Sequence, residues 1–180
     1  MTLASTERLF IALVPDQAAR DALAGWRDAW TWPRAATPVK TGRLHVTLHF
    51  LGDVERSRVA ELSDALSVPF TPFALRFDRA ALWPHGIAVL EPPDVPGSLL
   101  ALHASLGGVV RAFGLAVDER PFRPHVTLAR RVSAATPPNS ESIVMWQVAS
   151  YALMSSAPDA DGAYTVLRRY GERVPNPFIS

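Results

Sequence analysis

The tetrapeptide His-Val-Thr-Leu occurs twice in this chain, at residues 45–48 and again at residues 125–128. The 180 residues include only five histidines, so a repeat built on histidine constrains the fold more than most repeats would. Both copies stand in β-type contexts, and successive side chains of a strand point to opposite faces. Each copy therefore turns Val and Leu toward a core and presents an imidazole beside a hydroxyl on its other face.

The segments in front of the two tetrapeptides repeat as well. Residues 11–16 (Ile-Ala-Leu-Val-Pro-Asp) and 87–94 (Ile-Ala-Val-Leu-Glu-Pro-Pro-Asp) each read as a short buried strand that ends in Pro-Asp. Apolar residues at helical spacing follow, from Ala19 to Trp30 in the first copy and from Leu99 to Phe113 in the second. The order strand, Pro-Asp, helix, loop, histidine strand thus occurs twice, which indicates an internal duplication.

The remaining segments complete the expected architecture. We predict a helix from about Val54 to Leu66, a half-buried strand from Phe70 to Leu82, and two later strands, Ile143 to Met154 and Tyr164 to Tyr170. The fold class is α+β: two duplicated lobes, each a mainly antiparallel sheet with outer helices, with the histidine strands meeting near a pseudo-two-fold axis. No linker-like segment separates the lobes, so we expect one domain over residues 1–180.

Composition narrows the classes of function. The net charge of +1 argues against a broad nucleic-acid-binding surface, although a local basic cleft is compatible with it. With no cysteines, disulfides and cysteine-based metal sites are excluded. Residues 1–8 lack the pattern of a signal peptide, and no apolar run approaches the roughly 20 residues that span a bilayer. We expect a cytoplasmic monomer with no membrane association.

Two histidines facing one phosphate suit the cleavage of a phosphodiester. The unperturbed histidine pKa near 6.5 lets one imidazole act as general base and the other as general acid without a metal or another cofactor. Hydroxyl and guanidinium groups nearby can stabilise the charge that builds on the phosphate oxygens. Arginines are concentrated near both motif histidines, at positions 43, 123, 130 and 131.

The paired His-x-Thr-Leu motifs, about 80 residues apart, resemble those of the 2H phosphoesterase superfamily. Residues 8–13, 44–52 and 122–130 are similar to the bacterial and archaeal RNA 2′,3′-cyclic phosphodiesterase branch, also called 2′-5′ RNA ligase. The similarity extends from about Arg8 to Tyr170. It implies a catalytic cleft between two lobes. It also implies metal-independent hydrolysis of a 2′,3′-cyclic phosphate, on RNA ends or small cyclic nucleotides, to a 2′-phosphate.

The resemblance also implies roles for individual residues. His45 is expected to be the general acid and His125 the general base, while Thr47 and Thr127 bind the phosphate. The residues alone do not decide which histidine is acid and which is base, because the two motifs are identical. Run in reverse, the same site would join a cyclic phosphate to a 5′-hydroxyl as a 2′-5′ RNA ligase.

Two further positions match family positions but conflict with strand geometry. The resemblance assigns substrate binding to Phe50 and Arg130, yet each lies one residue off the face that His and Thr share in a regular strand. A strand end or a bulge would resolve the conflict. His49 shares the expected face but matches no family catalytic position. Core packing for Phe50 and a solvated strand end for Arg130 are the alternatives.

Other interpretations of the motif histidines remain open at this point. They could be structural residues of ordinary strands, with the threonines acting only as β-formers. They could also bind a metal, but neither strand carries a carboxylate and no third ligand has convincing spacing. At the level of function, the alternatives are a non-catalytic module that binds RNA ends, or the same chemistry on another cyclic nucleotide or a 2′-5′ oligonucleotide.

Overall fold

The computed structural model describes residues 5–138, 142–159 and 162–171. No helix in those ranges is long and apolar enough to cross a membrane. The same ranges contain ten strands and three α-helices, in this order along the chain: β1 (Thr6–Leu13), α1 (Gln17–Asp28), β2 (Thr37–Pro38), β3 (Val46–Glu55), α2 (Arg56–Ala65), β4 (Phe73–Phe77), β5 (Arg79–Trp83), β6 (Ile87–Glu91), α3 (Gly97–Ala112), β7 (Val126–Arg130), β8 (Val144–Val148), β9 (Tyr151–Pro158) and β10 (Tyr164–Tyr170).

Helix α1 follows the sequence pattern at its start and departs from it at its end. The side chain of Asp16 caps the helix by accepting a hydrogen bond from the backbone N–H of Ala19 at 2.8 Å. Leu23 and Trp26 are buried on the inner face, as predicted. The helix ends at Asp28, so Trp30 is buried beyond the helix and stacks on Trp32 with ring centroids 4.8 Å apart.

Three predicted boundaries are wrong. The single strand expected over 70–82 is two strands, because Asp78 separates β4 from β5 and its carboxylate pairs with Arg76 at 2.7 Å. The strand expected over 143–154 is likewise divided, into β8 and β9. In addition, β3 continues through Val54, where we expected the second helix to begin, and ends at Glu55; Gly52 adopts a positive φ of 72° within the strand.

The sheet topology follows the internal duplication. The main sheet has the order β10-β9-β1-β3-β7-β6-β5, with β2 beside β7, and a second sheet contains β4 and β8. The first copy of the repeat contributes β1, α1, β3, β4 and β5, and the second contributes β6, α3, β7, β8 and β9. Because β5 pairs with β6 and β9 pairs with β1, the last strand of each copy joins the first strand of the other.

The two histidine strands meet at the middle of the main sheet, as the repeat predicted. Strands β3 and β7 are antiparallel and pair through Val46 and Val126, the second residue of each tetrapeptide. Antiparallel geometry at this pair places the flanking residues of one strand opposite those of the other. His45 therefore lies across from Thr127, and His125 lies across from Thr47.

Both histidine strands also carry a β-bulge at the same position of the tetrapeptide. The register of β3 against β1 skips Leu48, and the register of β7 against β6 skips Leu128. In each strand the last residue of the tetrapeptide and the residue after it are therefore both buried, and the next residue is exposed. A bulge of this kind re-aims the side chains that follow it.

The buried side chain of Tyr151 links strand β9 to the residues that follow helix α2 by hydrogen bonds. Its hydroxyl donates to the carbonyl of Leu66 at 2.8 Å and accepts from the N–H of Val68 at 3.0 Å. We expect Tyr151→Phe to lower the free energy of unfolding by about 1–3 kcal/mol, because the groups left behind are unpaired. Urea unfolding of the variant measures this loss. A loss below about 0.5 kcal/mol, the size typical of surface substitutions, would contradict the assignment.

Candidate active site

A small cavity lies where the two histidine strands meet, and we call it the central pocket. Its volume is about 110 Å³. Because a water molecule occupies about 30 Å³ of liquid and small-molecule sites span about 300–1,000 Å³, the pocket accommodates a group the size of a phosphate but no nucleoside. It is lined by Val39, Arg43, His45, Thr47, His125, Thr127, Arg130 and Tyr164. The structure thus brings together the predicted histidines, threonines and Arg130.

The two histidine rings are held in the same way. Nδ1 of His45 lies 2.7 Å from the carbonyl oxygen of Arg43, and Nδ1 of His125 lies 2.8 Å from that of Arg123. A carbonyl oxygen only accepts hydrogen bonds, so Nδ1 of each ring carries the proton. In the neutral ring Nε2 is therefore the basic nitrogen.

The two threonines differ in their contacts. The Oγ1 atom of Thr47 lies 2.9 Å from Nε2 of His45, so its hydroxyl donates to that nitrogen when the ring is neutral. Thr127 makes no corresponding bond to His125 within the described ranges. The Nε2 atom of His125 is therefore free of the hydroxyl contact that occupies Nε2 of His45.

Burial makes both imidazoles harder to protonate. Burial is the main cause that lowers the pKa of His45 below 6.5; the carbonyl of Arg43 opposes it, and the charges of His125 and Arg130 add to it. Burial also lowers the pKa of His125, against the opposing effects of the Arg123 carbonyl and the Glu91 carboxylate. Both rings are mainly neutral at pH 7 in the free protein, and a bound anion would favour their protonation.

The central pocket is suited to an anion. Arg43 and Arg130 line it, and no carboxylate from the described part of the chain does. Arg130 is exposed and makes no ion pair with any described carboxylate, while Arg43 donates to the carbonyl of Gly162 at 2.7 Å. Uncompensated positive charge beside two hydroxyls favours binding of phosphate oxygens.

A larger cavity of about 500 Å³ opens beside the central pocket, and we call it the aromatic groove. The two cavities share Thr47 and His125. The ring-bearing side chains of the groove, apart from His125, are His49, Phe50, Trp83, His103 and Phe122. A nucleoside-sized group in the groove would therefore lie next to a phosphate in the central pocket.

The two bulges decide where Phe50 and Arg130 point. Phe50 is 57% exposed and lines the aromatic groove, with the Arg8 guanidinium 5.7 Å from its ring centroid. Arg130 lines the central pocket. His49, which strict alternation placed beside His45 and Thr47, is instead buried against α3. The bulges thus resolve the conflict that a regular strand presented for Phe50 and Arg130.

Three aromatic contacts of the motif histidines were not found from the sequence, and the first is made by Phe10 of β1, 5.2 Å from the His45 ring centroid. Tyr164 of β10 meets the His45 ring edge-on at 5.5 Å, and Trp83 of β5 lies 4.3 Å from the His125 ring centroid. Both are distant along the chain from the histidine that they contact. Their only sequence signal is an aromatic residue at the end of a strand, which is common in sheets.

No group of three or more His, Cys, Asp or Glu in the described ranges is placed to hold a metal ion. The three histidines other than His45 and His125 contribute none of the lining of the central pocket. His85 occupies an exposed turn with φ of 64°, and His49 and His103 belong to a buried stack.

That stack makes stability depend on pH. His103 of α3 lies between His49 and Phe122, with ring centroids 4.1 and 3.9 Å away. Nε2–H of His49 donates to the carbonyl of His103 at 2.8 Å. Burial, followed by the charge of His49, lowers the pKa of His103 to about 4. The unfolded chain, with a histidine pKa near 6.5, therefore binds more protons than the folded chain between these values.

We expect the free energy of unfolding to fall as pH decreases from about 6.5 toward 4. His103 contributes on the order of 1–2 kcal/mol to this loss, after the full pKa shift is discounted because the ring is only partly buried. Urea unfolding at several pH values measures the slope. His103→Gln should flatten it, whereas His85→Asn, a substitution of the exposed turn histidine, should leave it unchanged. Equal slopes in His103→Gln and the parent would contradict this account.

Comparison with known proteins agrees with this geometry. The sequence profile of the 2′-5′ RNA ligase superfamily matches residues 14–157. An RNA 2′,3′-cyclic phosphodiesterase of Escherichia coli K12 is 32% identical over 174 residues, covering 93% of this chain and 98% of the relative. A protein of the same name from Thermus thermophilus is 28% identical over 180 residues, covering 92% and 90%.

Solved structures show the same fold. The crystal structure of E. coli LigT complexed with 3′-AMP superimposes with a TM-score of 0.81 at 29% identity, covering 93% of this chain and 98% of that one. The fold and the paired histidine strands place the protein in the class of two-histidine (2H) phosphoesterases, as the motifs predicted. The chain belongs to the 2′-5′ RNA ligase superfamily.

Proposed function

We propose that this protein is an RNA 2′,3′-cyclic phosphodiesterase that converts a terminal 2′,3′-cyclic phosphate to a 2′-phosphate. The observation that carries the proposal is the central pocket, where two imidazoles and Arg130 line one cavity of about 110 Å³. The names of the E. coli and T. thermophilus relatives support the same reaction. No metal is needed in this proposal, because the two imidazoles can perform both proton transfers.

In the proposed reaction, a water molecule attacks the phosphorus of the cyclic phosphate. Nε2 of His125 takes a proton from the water as its oxygen bonds to phosphorus. The bond between phosphorus and O3′ breaks, and Nε2–H of His45 donates its proton to O3′. The products are a 2′-phosphate and a free 3′-hydroxyl. Proton transfer through Nε2 is compatible with both rings, since Nδ1 of each is bound to a backbone carbonyl.

Negative charge builds on the non-bridging oxygens in the transition state, and the pocket offers groups that stabilise it. Arg130 supplies a full positive charge, and the hydroxyls of Thr47 and Thr127 supply shorter-range hydrogen bonds. These groups are present before the substrate arrives, so little reorganisation is needed at the moment of reaction.

The aromatic groove is proposed to bind the nucleoside that carries the cyclic phosphate. Phe50 offers an exposed ring on which a nucleobase can stack, and stacking of this kind tolerates any base. The E. coli relative was crystallised with 3′-AMP, a nucleoside monophosphate, which supports a nucleotide as the substrate class. RNA ends and small cyclic nucleotides would both fit this arrangement.

The same site could also transfer the phosphate to a hydroxyl other than water and so act as a 2′-5′ RNA ligase. A 5′-hydroxyl in place of water would attack the phosphorus while the bond to O3′ breaks, giving a 2′-5′ phosphodiester and a 3′-hydroxyl. The strained cyclic ester supplies the driving force, so ATP is not required. Hydrolysis should dominate because water is in large excess over any 5′-hydroxyl end. Cytoplasmic location and a monomeric state stay predictions from composition.

The test is product analysis on an oligonucleotide that ends in a 2′,3′-cyclic phosphate, in excess EDTA, with a method that separates 2′- from 3′-phosphate ends. We expect a 2′-phosphate product at an undiminished rate. His85→Asn, which alters only the exposed turn histidine, is the matched control and should keep full activity. Failure of the parent protein to open the ring in EDTA, or formation of a 3′-phosphate, would contradict the proposal.

A further inference from the structure

The first motif histidine contacts two aromatic rings, Phe10 at 5.2 Å and Tyr164 at 5.5 Å, and Tyr164 forms a support together with one arginine. The backbone carbonyl of Arg43 binds Nδ1–H of His45. The guanidinium of Arg43 lies 4.9 Å from the centroid of the Tyr164 ring, and that ring touches the imidazole of His45 edge-on. Arg43 thus contacts His45 directly through its backbone and indirectly through an aromatic side chain.

The second motif histidine has the same support, built from other elements. The carbonyl of Arg123 binds Nδ1–H of His125. The guanidinium of Arg123 lies 4.4 Å from the Trp83 ring centroid, and Trp83 packs against His125. The indole N–H of Trp83 is buried and makes no hydrogen bond to a described residue, so the ring depends on this packing for its position.

The two supports differ by one buried carboxylate. Arg43 donates to a backbone carbonyl, whereas Arg123 donates to both carboxylate oxygens of Glu91, at 2.5 and 3.0 Å. Glu91 is only 2% exposed, although it carries a charge. A carboxylate is retained in such a place only when its charge is compensated by close cations.

We propose that Glu91 is a positioning residue for His125, which it holds against the central pocket through Arg123 and Trp83. The expected loss of kcat rests on the proposed function. The expected change in the titration of His125 does not, because it can be measured without turnover. Glu91 does not line the central pocket and is thus not a catalytic residue itself.

The bidentate pair fixes the plane of the Arg123 guanidinium, because a carboxylate accepts two parallel bonds in only one relative orientation. A fixed guanidinium fixes the indole that it covers, and the indole packs against one side of the His125 ring. The carboxylate also stabilises the imidazolium that forms when His125 takes a proton from water, as an aspartate does in a serine-protease triad. No carboxylate is among the described groups whose charge acts on His45.

Other charged groups also act on Glu91 and His125. Glu91 also faces Arg79 of β5 at 4.0 Å. The charged groups that act on His125 are Glu91, Arg123 and Arg130, and His45 is the nearest titratable partner across the pocket. Removal of the Glu91 charge would leave the arginines unopposed, which makes protonation of His125 harder.

The experiment compares Glu91→Gln with the parent protein by NMR titration of the imidazole resonances and by steady-state kinetics. We expect the titration midpoint of His125 to move to lower pH by at least half a unit, while that of His45 moves less. We expect kcat on a 2′,3′-cyclic nucleotide to fall about tenfold to a hundredfold, the size of loss seen when the orienting partner of a metal-bound histidine is removed, with KM changed less than threefold. Glu91→Asp, which keeps the charge, should restore the His125 midpoint.

Two further variants separate positioning from general stability. Phe77→Leu removes buried volume from β4, away from the pocket. The kcat of each variant is measured at the same number of degrees below its own Tm. Should Glu91→Gln not fold, Arg123→Lys replaces it, since lysine keeps the charge but lacks the planar fork. An unchanged His125 midpoint, or a kcat loss equal to that of Phe77→Leu, overturns the inference. Absence of turnover in the parent protein would refute the proposed function. The NMR titration alone would then decide whether Glu91 positions His125.

Discussion

Replacement of His125 by alanine is expected to lower the rate of cyclic-phosphate hydrolysis by about 10²–10⁴-fold, the contribution typical of a positioned proton-transfer group. The same loss is expected for His45→Ala, since each ring provides one of the two proton transfers. The effects should not add in the double variant, because residues that act as a unit lose most of their joint effect with the first substitution. Single-turnover rates on a 2′,3′-cyclic nucleotide measure all three losses.

His85→Asn is the control for these variants, as it alters a histidine in an exposed turn whose left-handed conformation asparagine tolerates. Circular dichroism confirms that each variant is folded before its rate is compared. A rate within threefold of the parent for either alanine variant would show that its imidazole is a structural residue of the strand.

Replacement of Arg130 by methionine is expected to reduce kcat by about 10²–10³-fold, the loss seen when one preorganised stabiliser of an oxyanion is removed. Arg130 is exposed and pairs with no described carboxylate, so its charge is available to a phosphate in the central pocket. Methionine keeps an unbranched apolar stem of about the length of the arginine methylene chain and removes the guanidinium. The substitution should also raise the pKa of both motif histidines, because Arg130 lowers them.

Arg169→Met on β10 is the matched control for Arg130→Met, since Arg169 is also exposed and does not line the central pocket. Its kcat should equal that of the parent. Similar losses in the two variants would mean that overall charge, rather than a contact in the pocket, determines the rate.

The part of the site that depends on strand alternation could be predicted from the sequence. The His-x-Thr spacing places the imidazole and hydroxyl of each copy on one face, and the structure has both pairs lining one cavity. The repeated strand and helix pattern also predicted that the two strands meet, which they do through Val46 and Val126. These inferences needed only local periodicity and the duplication.

The contacts made across the fold could not be predicted in this way. A bulge depends on how a strand registers with its neighbour, and nothing in the residues around Leu48 or Leu128 marks an extra residue. For the same reason, His49 was expected on the wrong face. The approach of Trp83 to His125 requires the exchange of strands between the two copies, which a one-dimensional pattern does not reveal. The pairing of Glu91 with Arg123 lies within the second copy, but it depends on how the end of β6 meets the loop before β7.

The division of the strand expected over 70–82 has a tertiary cause that the hydrophobic pattern does not show. Apolar residues alternate from Phe73 to Phe77, and no glycine or proline stands between Phe73 and Leu82, so the pattern favoured one strand. In the structure, β4 pairs with β8, whereas β5 pairs with β6. Tertiary pairing thus outweighed the local periodicity, as it often does in sheets.

The central claim is that both imidazoles face a single phosphate, and NMR titration with a nucleoside 2′-monophosphate, the proposed product, tests it most directly. The imidazole resonances of His45 and His125 should shift together with one dissociation constant, and the midpoint of at least one ring should rise because the phosphate is negatively charged. A shift confined to one of the two rings, or two different dissociation constants, would contradict the claim.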